Sequence, residues 1–218
     1  MLLLAVAAGV AGLIGLGALY RGLAVGAMGI VAPISAAGPV VPLAVDAAQG
    51  IVPSALQWIG VALVITGIVT ISREPASEGG RRVAEGAGLA IVAAIGFGAF
   101  FVGLDAGADE SVPWAVVSAR SASVTVALAA AAFTATSLVP PRRFLPTVVG
   151  VGVFDTGANV SVAFETTKGA TGVVAVLSAL YPVVTVLLAR LVLREELGVA
   201  RRAGGILALA GAALVAAA

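Results

Sequence analysis

Apolar residues run along this chain in eight long stretches, approximately 2–21, 27–45, 54–72, 86–104, 113–138, 145–164, 170–190 and 203–217, with most of the charge, Pro and Gln gathered in the short gaps between them. A bilayer core of about 30 Å is crossed by roughly 20 apolar residues in a helix, and the stretches have about that length. Apolarity that is continuous over about 18 residues, instead of alternating over about ten, predicts helices and argues against barrel strands. The expected fold class is therefore an all-α membrane protein: eight transmembrane helices in one bundle, with no soluble domain.

Composition agrees with the pattern: 61% of the 218 residues are hydrophobic and 11% charged, and mean hydropathy is +1.15. Such a balance lies far from that of a soluble globular domain. Glycine is abundant, at 28 residues, and runs such as GLAVG at 22–26 place small residues where helix backbones can approach closely. There is no Cys and no His, which removes disulfides, thiolate sites and the commonest metal ligand. No metal, cofactor or catalytic residue is expected. The opening MLLLAVAAGVAGLIGLGAL has no basic segment ahead of its apolar run, so it reads as a span and not as a signal peptide. Walker sequences, dinucleotide fingerprints and basic stripes with interleaved aromatics are all missing from the chain, leaving ATP-driven transport and nucleic-acid binding without support.

The chain repeats itself. Aligning Gly26 with Gly169 and running to Leu43 against Val186 gives ten identities in eighteen positions without a gap, among them Gly29/Gly172, Ser35/Ser178, Pro39/Pro182 and Val41/Val184. After one inserted residue, Gly60 and Gly67 fall on Gly204 and Gly211. The second run thus matches the seventh and the third matches the eighth, an offset of five spans. An odd offset turns the second copy upside down in the membrane, the inverted-repeat arrangement common in secondary carriers. On this count the N-terminal unit, 1–72, holds three spans and the C-terminal unit, 86–218, holds five, joined by a polar linker at 73–85. Two spans are missing from the front of the first unit, so the chain is either an eight-span form or part of a ten-span one.

The stretch GATGVVAVLSALYPVVTVLLARLVLREELGVARRAGGILALAGAALV resembles the closing helix pair of EamA-type carriers of the drug/metabolite transporter superfamily, and ALYRGLAVGAMGIVAPISAAGPVVPLA resembles the matching pair of their first half. The likeness is strongest over 145–217. It is weakest at 46–57, where DAAQGIVPSALQ lacks the family's charged turn, while the second half reads REEL at 194–197. What the resemblance implies is a ten-helix, two-repeat secondary carrier of small metabolites, usually an exporter, with no particular solute attached.

Ten arginines fall on one face of the alternating spans (Arg21, Arg73, Arg81, Arg82, Arg142, Arg143, Arg190, Arg194, Arg201 and Arg202) and Lys168 alone on the other. The positive-inside rule makes the Arg-rich face cytoplasmic, with both chain ends outside. The resemblance points the other way for relatives drawn with both ends in the cytosol.

Within the spans, Asp155 stands out. It lies about ten residues into the sixth run, about 15 Å deep, where an acid must be neutral, paired or turned to a hydrated cavity. Asn159 shares its helix face one turn on, with Thr156 and Ser161 nearby. Either the group marks a solute or proton path, or it only binds helices together. Arg120 is the strongly basic residue inside a span: it either snorkels to Asp105, Asp109 or Glu110, or forms a cationic wall for an anionic group on the solute. Tyr181 and Pro182, in SALYPVV, suggest a kinked helix presenting an aromatic, and Ser178 in the same stretch joins Tyr181 as a candidate for contact with the solute. Trp114 and Tyr20 sit near span ends as interfacial anchors; Glu165 and Lys168 form a solvated loop pair.

The function this predicts is a secondary transporter in the cell membrane (inner or plasma), moving a small metabolite or drug-like solute by alternating access, with protons as the coupling partner considered at Asp155. The alternative is a non-transporting membrane protein, either a remnant or an assembly subunit. An enzyme is disfavoured by the lack of His, Cys and clustered carboxylates. The solute, the coupling ion and the oligomeric state are not encoded legibly.

Overall fold

In a computed structural model of the chain, residues 2–26, 28–72, 80–134, 140–168, 171–178, 180 and 198–217 are described. Among them the structure is entirely helical: α1 (Leu2–Val25), α2 (Met28–Ser35), α3 (Val40–Ala48), α4 (Ala55–Ser72), α5 (Gly80–Ala108), α6 (Val112–Phe133), a short 3-10 turn (Arg142–Phe144), α7 (Leu145–Thr166), α8 (Thr171–Ser178) and α9 (Val199–Ala217). Among the described residues four helical stretches are long and apolar enough to cross a membrane: Leu2–Val25, Gly86–Ala108, Val112–Phe133 and Arg142–Thr166. Ala55–Thr70 and Arg202–Val215 are shorter apolar helices. Linker residues 73–79, and the seventh run beyond Leu180, lie outside the described residues.

The second run, expected as one continuous span, is broken. Pro39 has no N–H to give to the carbonyl of Ser35, four residues back, and Gly38 N–H takes that oxygen instead at 3.3 Å. Ala37 N–H to Ile34 O (3.1 Å) and Val40 N–H to Ala37 O (3.0 Å) tighten the chain into a turn between α2 and α3. The Ser35 hydroxyl donates back to Val31 O at 2.8 Å. A break of this kind is tolerated at membrane depth where protein, not lipid, surrounds it, and Ser35 and Ala36 are buried.

The same termination recurs at α8. It ends at Ser178, whose hydroxyl donates to Val174 O at 2.8 Å, and Leu180 N–H reaches Leu177 O at 3.2 Å. Under the alignment read from the sequence, Ser35 falls on Ser178 and Ala37 on Leu180, so the serine back-bond and the turn hydrogen bond that follows it recur at matched residues.

Small residues set the packing. On α5, a Cβ at Gly96 would lie 2.8 Å from both Ala11 O and Gly15 Cα, while Gly103 meets Leu4 and Ala8 of α1; the two helices therefore run antiparallel in close contact, as a small-residue interface allows. One core joins the ends of four helices through Ala5, Leu104, Ala108, Val112, Ala115, Val116, Ala119 and Ala163. A second gathers Ala36, Leu43, Val61, Val64, Ile68, Val176 and Val215 around α4, α8, α9 and the α2–α3 break.

Helix α4 is closed at its start by a reciprocal capping box, Ser54 N–H to Gln57 Oε1 (2.8 Å) and Gln57 N–H to Ser54 Oγ (3.2 Å). It then packs on α9 with Gly60 against Gly211 and Gly67 against Gly204 and Ala208. A Cβ at Gly67 would fall 2.5 Å from Ala208 N and 2.6 Å from Gly204 O, both backbone atoms that cannot swing aside. Overpacking of this sort costs about 1–3 kcal/mol or more. Gly67→Leu is expected to lower the thermal midpoint in detergent by about 5–10 °C, at about 2–4 °C per kcal/mol for a chain of this size. Gly205→Leu, at a site with open space, is expected to leave it within error; fluorescence-detected chromatography of heated samples reads both.

Candidate functional site

A cavity of about 630 Å³ lies between α1, the α2–α3 break, α5, α6, α7 and the end of α8. Its walls are mostly apolar, with Leu13, Leu16, Phe97, Phe100 and Phe101 contributing bulk. The polar groups converge from separate elements: Ser35 and Gly38 from the break, Arg120 and Ser123 from α6, Asp155 and Asn159 from α7, Ser178 from α8. A large apolar cleft with a few convergent polar side chains is the usual form of a small-molecule site.

Arg120 and Asp155 form an ion pair between Nη2 and Oδ2, and the same Nη2 stands 3.4 Å from Asp155 O. Asn159 Nδ2 donates to that carbonyl at 2.7 Å, which ties the amide to its own helix one turn away. The Ser123 hydroxyl donates to Arg120 O at 3.0 Å. Both charges retain exposure, with side chains 36% and 56% accessible for Arg120 and Asp155, so they face the cavity and are not sealed in the packing. Pairing cancels the net charge, which makes two ionised groups tolerable at this depth. The arrangement can offer one cationic and one anionic group, together with hydroxyls, to a solute in an otherwise apolar chamber.

Four residues singled out in the sequence, Asp155, Asn159, Arg120 and Ser178, meet at this cavity. Tyr181 lies outside the described residues. The local partners read for Arg120 (Asp105, Asp109, Glu110) are replaced by Asp155, which is 35 residues away in the chain. Asp105 instead accepts from the Thr171 hydroxyl at 2.6 Å. Ser35 lines the cavity as well, and so does Tyr20, placed by the sequence only as an interfacial anchor. Ser35 had a visible signal, since it is the repeat mate of Ser178; Phe97, Phe100 and Phe101 had none beyond their apolarity. Glu165 and Lys168 pair at 3.3 Å with both side chains well exposed, the solvated pair expected, although Glu165 lies in the last turn of α7 and not in a loop. Among the described residues no group of three Asp, Glu, His or Cys could hold a metal ion.

Comparison with known proteins places this geometry in a family. A protein of known crystal structure superposes on the chain with a TM-score of 0.80 at 18% identity, covering 96% of this chain and 74% of the other; at that identity the likeness is one of fold. No match is found among curated proteins. The profile of the EamA-like transporter family matches residues 84–217, from α5 to the end of α9. That family lies within the drug/metabolite transporter superfamily and is one of transporters, not of enzymes. With more than half of its length matched and its helices apolar enough for a bilayer, the chain is a membrane protein that belongs to the EamA-like transporter family.

Proposed function

We propose that the chain is a secondary carrier which moves a small metabolite or drug-like solute across the cell membrane, most simply outward, through the cavity that holds Arg120 and Asp155. The observation that carries this reading is the convergence of the paired charges with Ser35 and Ser178, two repeat mates, on one chamber. A carrier needs a site near the midplane between two units that can rock against each other.

The inverted arrangement, with a three-span unit over 1–72, a linker at 73–85 and a five-span unit over 86–218, finds support in the α4–α9 contact. Gly60 meets Gly211 while Gly67 meets Gly204, and by the sequence alignment Gly60 is the mate of Gly204 and Gly67 of Gly211. Each contact is therefore the other with the units exchanged. The helices run antiparallel, so the axis that exchanges them lies across their length, in the membrane plane. Eight spans follow if α2 with α3, and α8 with the segment after it, each cross once.

The arginine count places the linker in the cytoplasm. Cysteine at Ser77 is expected to resist a membrane-impermeant thiol reagent in intact cells, and cysteine at the exposed Thr167 to react; the reverse pattern would overturn the orientation. Transport itself is tested by counterflow of labelled amino acids, amines, sugars and hydrophobic cations into proteoliposomes. Saturable exchange of at least one class is expected. A monodisperse, reconstituted protein that exchanges none of them would favour the non-transporting alternative.

A further inference from the structure

The mechanism above uses Asp155 but not Asp46, the most deeply buried acid among the described residues, which is 4% exposed at the end of α3. Its Oδ2 accepts from the backbone N–H of Gly172 at 2.6 Å. The neighbouring residue, Thr171, is also buried and donates its hydroxyl to Asp105 Oδ2 of α5 at 2.6 Å. Two carboxylates from different helices thus grip the first turn of α8, where unpaired N–H groups and the positive end of the helix dipole favour negative charge. Leu43 and Gly172 bring the α3 and α8 backbones into contact, since a Cβ on Gly172 would lie 2.7 Å from Leu43 Cα.

Chain direction gives the contact its place. The ends of α3, α5 and α7 and the start of α8 follow an odd number of crossings from the Arg-rich face, so they share the opposite face, which carries Asp46, Asp105, Asp109, Glu110, Glu165 and Lys168. The cavity lining extends along α1 from Gly9 to Tyr20, beside Arg21 at the Arg-rich end. Toward the other face the alanine-rich core of Ala5, Leu104, Ala108, Val112, Ala115, Val116, Ala119 and Ala163 packs α1, α5, α6 and α7 together. On the α3 and α8 side the lining stops at Pro39, Phe101 and Ser178, whereas Asp46, Asp105 and Thr171 lie further along the same elements toward the Arg-poor face, so the chamber ends beneath the grip on α8.

We infer that Asp46 and Asp105, closing on the first turn of α8, are the gate that shuts the Arg-poor mouth of the cavity. The gate rests on the carrier reading. Asp109 and Asp46 both repel Asp105, and among the described residues no basic side chain pairs with either gripping carboxylate. Among the described residues the closed contact is held by N–H and O–H donors and the helix dipole, against the cost of keeping two like charges from water. Opening returns both carboxylates to water, so the two states stay close in free energy and the contact can cycle. A pair meant only as glue has no need of this balance.

The native chain has no cysteine, so one cysteine placed at the cavity residue Ser123 reports access. In sealed vesicles of each orientation, an impermeant maleimide is expected to label Ser123→Cys at least about tenfold faster from the Arg-rich face than from the other, with Thr167→Cys as the surface standard. Adding Asp46→Asn and Asp105→Asn, which keep size but delete charge, is expected to bring the two rates within about threefold. Thr171→Val, which removes one donor from an otherwise native chain, is expected to move the ratio part of the way and guards against misfolding of the triple variant. Unchanged sidedness in Thr171→Val, and in the triple variant where it is monodisperse, would overturn the gate, as would equal labelling of the parent from both faces. Labelling needs no turnover, so a chain that is gated yet exchanges no solute would refute the carrier reading and not this one.

Discussion

Asp155→Asn is expected to reduce solute exchange about 100-fold while the protein still inserts and elutes as a single species. Asn preserves the volume and a hydrogen-bonding oxygen, so α7 can pack as before. What it removes is the counter-charge of Arg120, and a lone Arg near the middle of a helix bundle in lipid costs about 3 kcal/mol. At 1.4 kcal/mol per decade, a penalty that size in the site that receives the solute corresponds to about 100-fold. Pairing Asp155→Asn with Arg120→Gln separates the two roles these residues could have. Removing both charges relieves the unpaired cation, so thermal stability should recover with a coupling of about 1–3 kcal/mol, whereas exchange should stay low because the solute has lost both partners. If the pair serves only to join α6 to α7, the double variant will exchange solute like the parent.

The helices themselves were legible because apolar run length maps directly onto membrane thickness. The runs 54–72 and 145–164 became Ala55–Ser72 and Leu145–Thr166. Hydropathy is blind to a turn made of apolar residues, which is why 27–45 read as one span although Pro39 and Gly38 break it. The repeat held the clue, since Ser35 and Pro39 recur as Ser178 and Pro182. Arg120 was harder. Its acidic neighbours in sequence stand ten to fifteen residues before it, at the end of α5 and in the turn ahead of α6, while Asp155 is brought beside it by packing of α6 on α7, and nothing in one dimension says which faces meet. Asp46 was read as part of a weak, loop-like match at 46–57 and not as a side chain of interest. Its partner is a backbone N–H 126 residues on, a contact that leaves no compositional trace. The same stretch lacks the family's charged turn but starts α4 with Ser54 and Gln57, a signature readable in principle from its spacing.

The claim on which everything else depends is that solute passes through the chamber between the α2–α3 break and α6. Filling it tests that claim without touching either charge. Ser123 is half-buried on the cavity wall, whereas Val117, on the same helix, is 51% exposed and not part of the lining. A tryptophan puts a rigid two-ring side chain where a hydroxymethyl group stood, obstructing a chamber of about 630 Å³ at its polar centre. Counterflow in proteoliposomes of matched protein content is the measurement. Ser123→Trp is expected to fall to the protein-free background and Val117→Trp to retain the parent's rate; a Ser123→Trp protein that exchanges solute as fast as the parent would contradict the account.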